Sequence, residues 1–479
     1  NFNTFSGLCG AITIGISKTP FIYGMHLAGV SNTPKGLSCC ITKSKLNEYI
    51  DKYFIQHPRA LKMCNQGMPN LEFPDMGITL LDRAAPKSPL NFSGEDTQVV
   101  YYGSHTGKTR TFHSTVIPTL ISDSVTKHLN ISNMHGPPKN MNNWRHWQKY
   151  YSDITHLSSV DPNILDLAFS DMTNDFDKVF KPEHLKNKIF VLNNDVNLSG
   201  LDGVPGLGPV VLSTSTGWPW CKKKSEFIHL TNESVEGITC LRKADDWVWQ
   251  QVSEYEDLLL KGERVHLIHR CNLKDEPTKL TKDKVRVFAG TQMVGLLLVR
   301  KYFLSICKLM MDHPLQFECA VGLNVYSEQW TKLTKHMIKY GSNNVIAGDY
   351  KSYDTSMSSR MTLSAVNYMI YIARRAGYDD KSIKIMQGLA TEICFPLYEM
   401  NGDYIQAMGS NPSGHSLTVF VNNIANSLYL RYAYYGMNTI EKSPFKNNVS
   451  VVCYGDDNKM SVNVKRASWY NHTSIAEYL

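Results

Sequence analysis

The stretch from residue 343 to 462 constrains the fold most, because its elements come in an order that few sheets can use. NNVIAGDY at 343–350 reads as a buried strand that ends on an acid. SSRMTLSAVNYMIYIARRAG at 358–377 has helical spacing, with Leu363, Val366, Ile370 and Ala373 on one stripe and Gly377 as its C-cap. A second helix follows at 416–436, where Leu417, Val421, Ile424 and Leu428 recur at the same spacing. VSVVCYGDDNKMSV at 449–462 then reads as a strand, a tight Gly-Asp turn and a returning strand. Strand, helix, helix, hairpin is the sequence of an α+β sheet backed by helices.

The rest of the chain is read around that segment. Residues 1–30 alternate apolar and small side chains around glycines and suggest two short strands and a turn. Helical spacing over 43–61 places Leu46, Ile50 and Tyr53 on one face, and the Pro-, Gly- and Asn-rich stretch 64–98 reads as a linker. Mixed α and β sequence resumes near Val99. At 479 residues the length suits several domains, and 19% charged residues with 42% hydrophobic ones exclude wholesale disorder. The net charge of +7 suits a polyanionic partner without specifying one. Eleven cysteines lack any paired CxxC spacing, as expected of reduced thiols in a cytosolic compartment. No transmembrane segment is expected, since the most apolar run, VGLLLV at 294–299, meets Arg300 and Lys301 at once. The chain begins at Asn1 and reads as a piece of something longer.

Four groups of residues carry chemistry. Asp456 and Asp457 stand at the tip of the hairpin, where adjacent carboxylates need solvent or a cation. Asp349 ends the 343–349 strand, with Asp354 five residues on. If that strand lies beside the hairpin, Asp349 and Asp456 are placed to share two divalent ions. The alternatives are a solvated acidic turn and an Asp that caps the following helix. Gly414 lets backbone approach a ligand closely, and Ser413, Thr418 and Asn422 project polar groups from adjacent turns, suited to a ribose 2′-hydroxyl, or else form an N-cap and a solvated face. LKDEPTKLTKDKVRVFAG at 273–290 brings Lys274, Lys284 and Arg286, able to clamp a triphosphate or simply to coat a charged loop.

GDYKSYDTSMS, the Ser-Gly…Thr…Asn helix and YGDD, in this order, resemble motifs A, B and C of RNA-dependent RNA polymerases. KDE…VR resembles their basic motif F, and TSTGWPW with Lys222, Lys223 and Lys224 resembles motif G of picornavirus-like enzymes. The five matches run from about Thr214 to Val462. The resemblance implies a right-hand polymerase of fingers and palm over 99–479. Asp349, Asp456 and Asp457 would hold two Mg2+ ions, with Mn2+ as a substitute. Asp354, Ser413 and Asn422, supported by Thr418 and Gly414, would sense the incoming ribose. Lys274, Lys284 and Arg286 would meet the triphosphate. Thr214 and Ser215 would touch template RNA, and Lys222 to Lys224 would form a general RNA-facing patch. Partners implied are template and primer RNA, NTPs, a protein primer and other replication proteins, in the host cytoplasm at virus replication complexes.

GLCG at 7–10 with GMH at 24–26 resembles the C-terminal barrel of chymotrypsin-like viral cysteine proteases, which implies that Cys9 is a nucleophile and His26 lines a Gln pocket. Residues 1–45 are therefore read as a partial β-barrel remnant and 46–98 as a linker and cleavage region, with Gln66-Gly67 as a candidate junction. The general base is expected upstream, so no protease activity is expected of this chain. Motif D, motif E and a thumb are not reached before Leu479, so little or no polymerase activity is expected of it either. The rival readings are a non-catalytic RNA-binding relative of polymerases and a protein that acts chiefly as a cysteine protease.

Overall fold

A computed structural model describes residues 12–15, 21–29 and 36–40, a few positions between 42 and 48, and residues 88–92, 99–105, 110–155, 159–438 and 443–479. The chain divides into two compact units, Asn1–Met76 and Gly77–Leu479. In the first, β1 (Ile12–Gly15), β2 (Phe21–Gly29) and β3 (Gly36–Cys40) form an antiparallel sheet in that order. The sequence suggested two of these strands. His26 lies on the backbone of β2 opposite Ser38. Cys9, Gln66-Gly67 and nearly all of the expected 43–61 helix lie outside the described residues.

The second unit begins earlier than its first long strand. Ser88, in the stretch read as a linker, is buried and donates a hydrogen bond to Asp403. A five-stranded sheet follows from β4 (Val99–Ser104), β5 (Ile268–Leu273), β6 (Val287–Thr291), β8 (Leu397–Met400) and β9 (Asp403–Ala407), ordered β6-β5-β8-β9-β4. A separate three-stranded sheet joins β7 (Val345–Gly348) to the hairpin of β10 (Val449–Tyr454) and β11 (Asp457–Val462), ordered β7-β11-β10. The 343–349 strand does lie beside the hairpin.

The helices bury their apolar faces against one another, and the last of them also packs against the small sheet. They are α1 (Pro162–Val179), α2 (Asp246–Leu260), α3 (Met293–Asp312), α4 (Ser359–Ala376), α5 (Asp380–Cys394) and α6 (Thr418–Met437). VGLLLV forms the first turns of α3, buried except for the half-buried Leu296, and among the described residues no helix is long and apolar enough to cross a membrane. Ser358 caps α4 by accepting from the Met361 amide, and Gly377 ends it in the left-handed region at φ +92°. The expected stripe on α4 needs one correction. Val366, Ile370 and Ala373 are buried, but Leu363 is 37% exposed. Met361, Ala365, Met369 and Ile372 are buried too, so the core face is broad and Leu363 sits just past its edge.

Helix α6 is buried nearly all round, packing on α1, α4 and β10. It therefore carries polar residues into the interior. Arg431 is fully buried and bonds Asp171, Asp175 and Glu318. Burial raises the Glu318 carboxyl, but the charges of Arg431 and Lys446 outweigh it and hold the group at about 2. Glu318 also ends a turn, at φ +55°, and its carbonyl accepts from the Cys453 amide, so this ion cluster braces α6 against β10 from behind.

Candidate active site

The hairpin presents its acids outward. Tyr454 pairs with Asp457, leaving Gly455 and Asp456 as a two-residue turn, and Gly455 has φ +64°, where a side chain is strained. Asp456 and Asp457 are exposed. Gly348 pairs with Asn458, so the next residue, Asp349, leaves β7 at the level of the turn. It too is exposed. Among the described residues none of these three carboxylates has a hydrogen-bond or ion-pair partner, and Asp349 caps no helix: the turn at Tyr353–Ser356 begins at Ser352 and α4 at Ser358.

Asn426, one helical turn beyond Asn422 on α6, holds this tip in place. Its amide nitrogen lies 3.1, 2.8 and 3.2 Å from the carbonyl oxygens of Gly455, Asp456 and Asp457, and its oxygen accepts from Asn458 at 3.2 Å. The backbone of the acidic turn is thus fixed while its side chains stay free.

A few residues away the polar groups are arranged oppositely. Asp354 is largely buried and accepts a short hydrogen bond from Asn422 Nδ2. Burial raises its carboxyl; the Asn422 bond draws it down, the Asp456 charge raises it further and the Arg286 charge lowers it. Those influences put Asp354 within electrostatic reach of both the hairpin and the basic strand. Asn422 is only 6% exposed, which disposes of a solvated helix face. Its Oδ1 accepts from Asn411 Nδ2 at 2.7 Å, and Asn411 Oδ1 lies 2.7 Å from His415 Nε2. Asn411 and His415 were not singled out in the sequence, where they flank Pro412-Ser413-Gly414.

The remaining candidates sort by burial. α6 starts at Thr418, so Ser413 and Gly414 form the loop before it rather than its first turn. Ser413 is half-buried and Gly414 exposed. A Cβ on Gly414 would fall 2.1 Å from the Ala289 carbonyl oxygen, so this glycine permits close approach to β6, a role other than the ligand contact expected. Thr418 Oγ1 lies 3.0 and 2.8 Å from the carbonyls of Pro412 and His415, tying the loop closed. Lys274 and Arg286 both face Glu276, at 2.9 and 3.7 Å, and Lys284 is exposed.

Lys222 to Lys224 do not act as one patch. Lys222 and Lys223 are exposed, whereas Lys224 is buried, donating to Thr214 Oγ1 at 2.8 Å and to the Ser215 carbonyl at 2.5 Å. Burial lowers its ammonium to about 8. It holds the Thr214-Ser215 turn instead of facing RNA, because Thr214 and Ser215 offer it the oxygens that burial demands.

Among the described residues no three acidic, His or Cys side chains form a ready-made metal cage. What the edge offers is oxygen donors without counter-charges, open to solvent. That suits Mg2+, which keeps several waters and is shared with substrate phosphates. The residues fit such an ion.

Residues 149–478 match the family model described as viral RNA-dependent RNA polymerase. The whole chain aligns with the replicase polyprotein of Drosophila C virus at 24% identity, covering 28% of it. A 247-residue stretch, 48% of the chain, is 29% identical to the replicase polyprotein of cricket paralysis virus and covers 14% of it. The RNA1 polyprotein of cowpea mosaic virus is 27% identical over 59% of the chain and 16% of its own length. The chain thus spans less than a third of these curated relatives. Among solved structures, the Sicinivirus 3Dpol RNA-dependent RNA polymerase shares the fold with a TM-score of 0.60 at 17% identity, over 78% of this chain and 73% of that one.

Proposed function

This chain belongs to the viral RNA-dependent RNA polymerase family, and on that premise we propose that it supplies the fingers and palm of an enzyme that joins NTPs to an RNA 3′-hydroxyl under template direction. One observation carries the reading: β7 lies beside the hairpin, so Asp349 and Asp456 emerge unpaired at one sheet edge, next to the hydrogen-bonded Asp354–Asn422 pair.

Asp349 and Asp456 would hold two Mg2+ ions, or Mn2+ in their place, with Asp457 beside them. Such ions, when bound, lower the pKa of the attacking hydroxyl and neutralise charge developing on phosphorus and on the pyrophosphate leaving group. The chain's own contribution is placement. Asn426 keeps the acidic turn from moving. Asp354 and Asn422 present an acceptor and a donor to the 2′-hydroxyl of the incoming nucleotide, which favours ribonucleotides, with Ser413 at the lip of the same loop. Lys274, Lys284 and Arg286 lie in the connection between β5 and β6, where the triphosphate would displace Glu276 from Lys274 and Arg286. Thr214 and Ser215 form the turn that would meet template RNA, with Lys222 and Lys223 outside it.

The reading extends to the rest of the polyprotein. Unit 1, an antiparallel sheet on a segment that also aligns with a viral replicase polyprotein, is the C-terminal part of a chymotrypsin-like cysteine protease with Cys9 as nucleophile and His26 in its specificity pocket. Gln66-Gly67 is the junction released by that class of protease; intact-mass analysis after protease treatment that shows no cut there removes this part of the proposal. A protein primer and further replication proteins in the host cytoplasm complete the assembly.

Primer extension by the complete parent polymerase on poly(A) with Mg2+ tests the central claim. Wild type should extend, and Asp349→Asn and Asp456→Asn should not. A folded wild type that binds RNA yet extends no primer, with or without a protein primer, would instead favour a non-catalytic RNA-binding protein.

A further inference from the structure

The hydrogen bonds around Asn422 have one direction throughout. The Leu417 amide donates to His415 Nδ1 at 3.2 Å, which makes Nδ1 the acceptor and leaves the proton on Nε2. Nε2 then donates to Asn411 Oδ1 at 2.7 Å, Asn411 Nδ2 donates to Asn422 Oδ1 at 2.7 Å, and Asn422 Nδ2 donates to Asp354 Oδ1. Asn411 also holds Asp354 from its backbone, its amide donating to the Asp354 carbonyl at 2.7 Å. His415, Asn411 and Asn422 are buried, and Asp354 at the end of the relay is half-buried.

An Asn amide can sit either way round, and only its neighbours decide which end faces a ligand. Asp354 alone would orient Asn422, but a substrate hydroxyl competes for that carboxylate. A second restraint, on the oxygen end, is what keeps both N–H groups of Asn422 toward Asp354 and the sugar. We infer that Asn411 and His415 are positioning residues for ribose selection: His415 orients the Asn411 amide, which locks the Asn422 amide so that it donates toward the 2′-hydroxyl. Burial keeps His415 neutral, its imidazole lowered to about 3, so the relay keeps its direction over the ordinary working range of pH. The inference rests on the polymerase reading above.

The test compares UTP with 2′-deoxy-UTP on poly(A), as kcat/KM for each, in the complete polymerase. Asn411→Asp is isosteric and still accepts from His415, but it faces Asn422 with an oxygen and no N–H. The amide should turn round, set its oxygen against Asp354, and lower discrimination by about tenfold to a hundredfold, the worth of a hydrogen bond to a charged group. The loss should appear in UTP, with 2′-deoxy-UTP little changed; a merely structural defect lowers both together. His415→Leu and His415→Gln repeat the test without touching Asn411: Leu should lower the ratio, and Gln, which keeps an N–H to donate, should restore most of it. Wild-type discrimination in Asn411→Asp, parallel loss of both substrates, or equal ratios in the two His415 variants overturns the relay alone. A wild type that polymerises without discriminating, or that is indifferent to Asn422→Ala, overturns the ribose-reading assignment and the relay with it.

Discussion

Two acidic regions stand within a few residues of each other, and they are built on opposite principles. Asp349, Asp456 and Asp457 are exposed and unpaired among the described residues, with only the backbone of the hairpin turn held. Asp354 is half-buried and backed by three ordered residues, Asn422, Asn411 and His415. A carboxylate that must take a multivalent cation gains nothing from a resident counter-charge, which the ion would have to displace. A carboxylate that must distinguish a hydroxyl from a hydrogen needs its geometry settled beforehand, because the discrimination is worth a hydrogen bond or two. Helix α6 serves both, with Asn422 and Asn426 on adjacent turns of one face.

The largest break in the comparison comes at the open edge. Asp456→Asn should lower primer extension on the order of a thousandfold, since metal-held charge is worth several kcal/mol in the transition state, while thermal stability stays near wild type. A large drop in melting temperature instead would mean the edge carries folding energy that its exposure denies. Next is the brace behind both regions. Arg431→Met leaves Asp171, Asp175 and Glu318 buried with only the half-exposed Lys446 and, at Asp175, Lys178 to balance them, and should cost about 3–5 kcal/mol in urea unfolding. A cost below about 1 kcal/mol would show that the acids find other partners.

A smaller effect is expected at the loop. Gly414→Ala drives a methyl into the Ala289 carbonyl, and overpacking of this kind costs about 1–3 kcal/mol. It should disturb ribose discrimination more than metal binding, because the displaced loop carries Ser413 and His415; equal effects on both would erase the distinction between the regions. The smallest effect is on pH dependence. His269 and His415 are held near 3 by burial, so below about pH 6.5 the unfolded chain takes up protons that the folded chain refuses. Stability should fall on acidification by about 1.4 kcal/mol per pH unit for each histidine, and His415→Gln should remove its share of that slope. Unfolding curves at pH 7, 6 and 5 check it.

What could be read without the structure were features written in short periods. The hairpin turn, the strand ending at Asp349 and both helices follow from local alternation, spacing and turn chemistry, and they carry the acids and Asn422 with them. Asn426 was legible as well, four residues past Asn422 on the same helical face, had that period been extended. Local pattern also overreached. It drew a stripe through Leu363, grouped three lysines of which one is buried, and took Ser88 for linker.

The sequence by itself determined the order of elements and which residue types stand at the strand ends and on α6, because those depend on neighbours three or four positions apart. Only the tertiary structure decided which acids are bare and which are wired. That outcome turns on contacts across long separations: Asn422 with Asp354, Arg431 with Asp171, Gly414 with Ala289, Asn426 with the hairpin. Burial is a property of such contacts, and burial is what turns an ordinary Asn, His or Lys into a group that must find a specific partner.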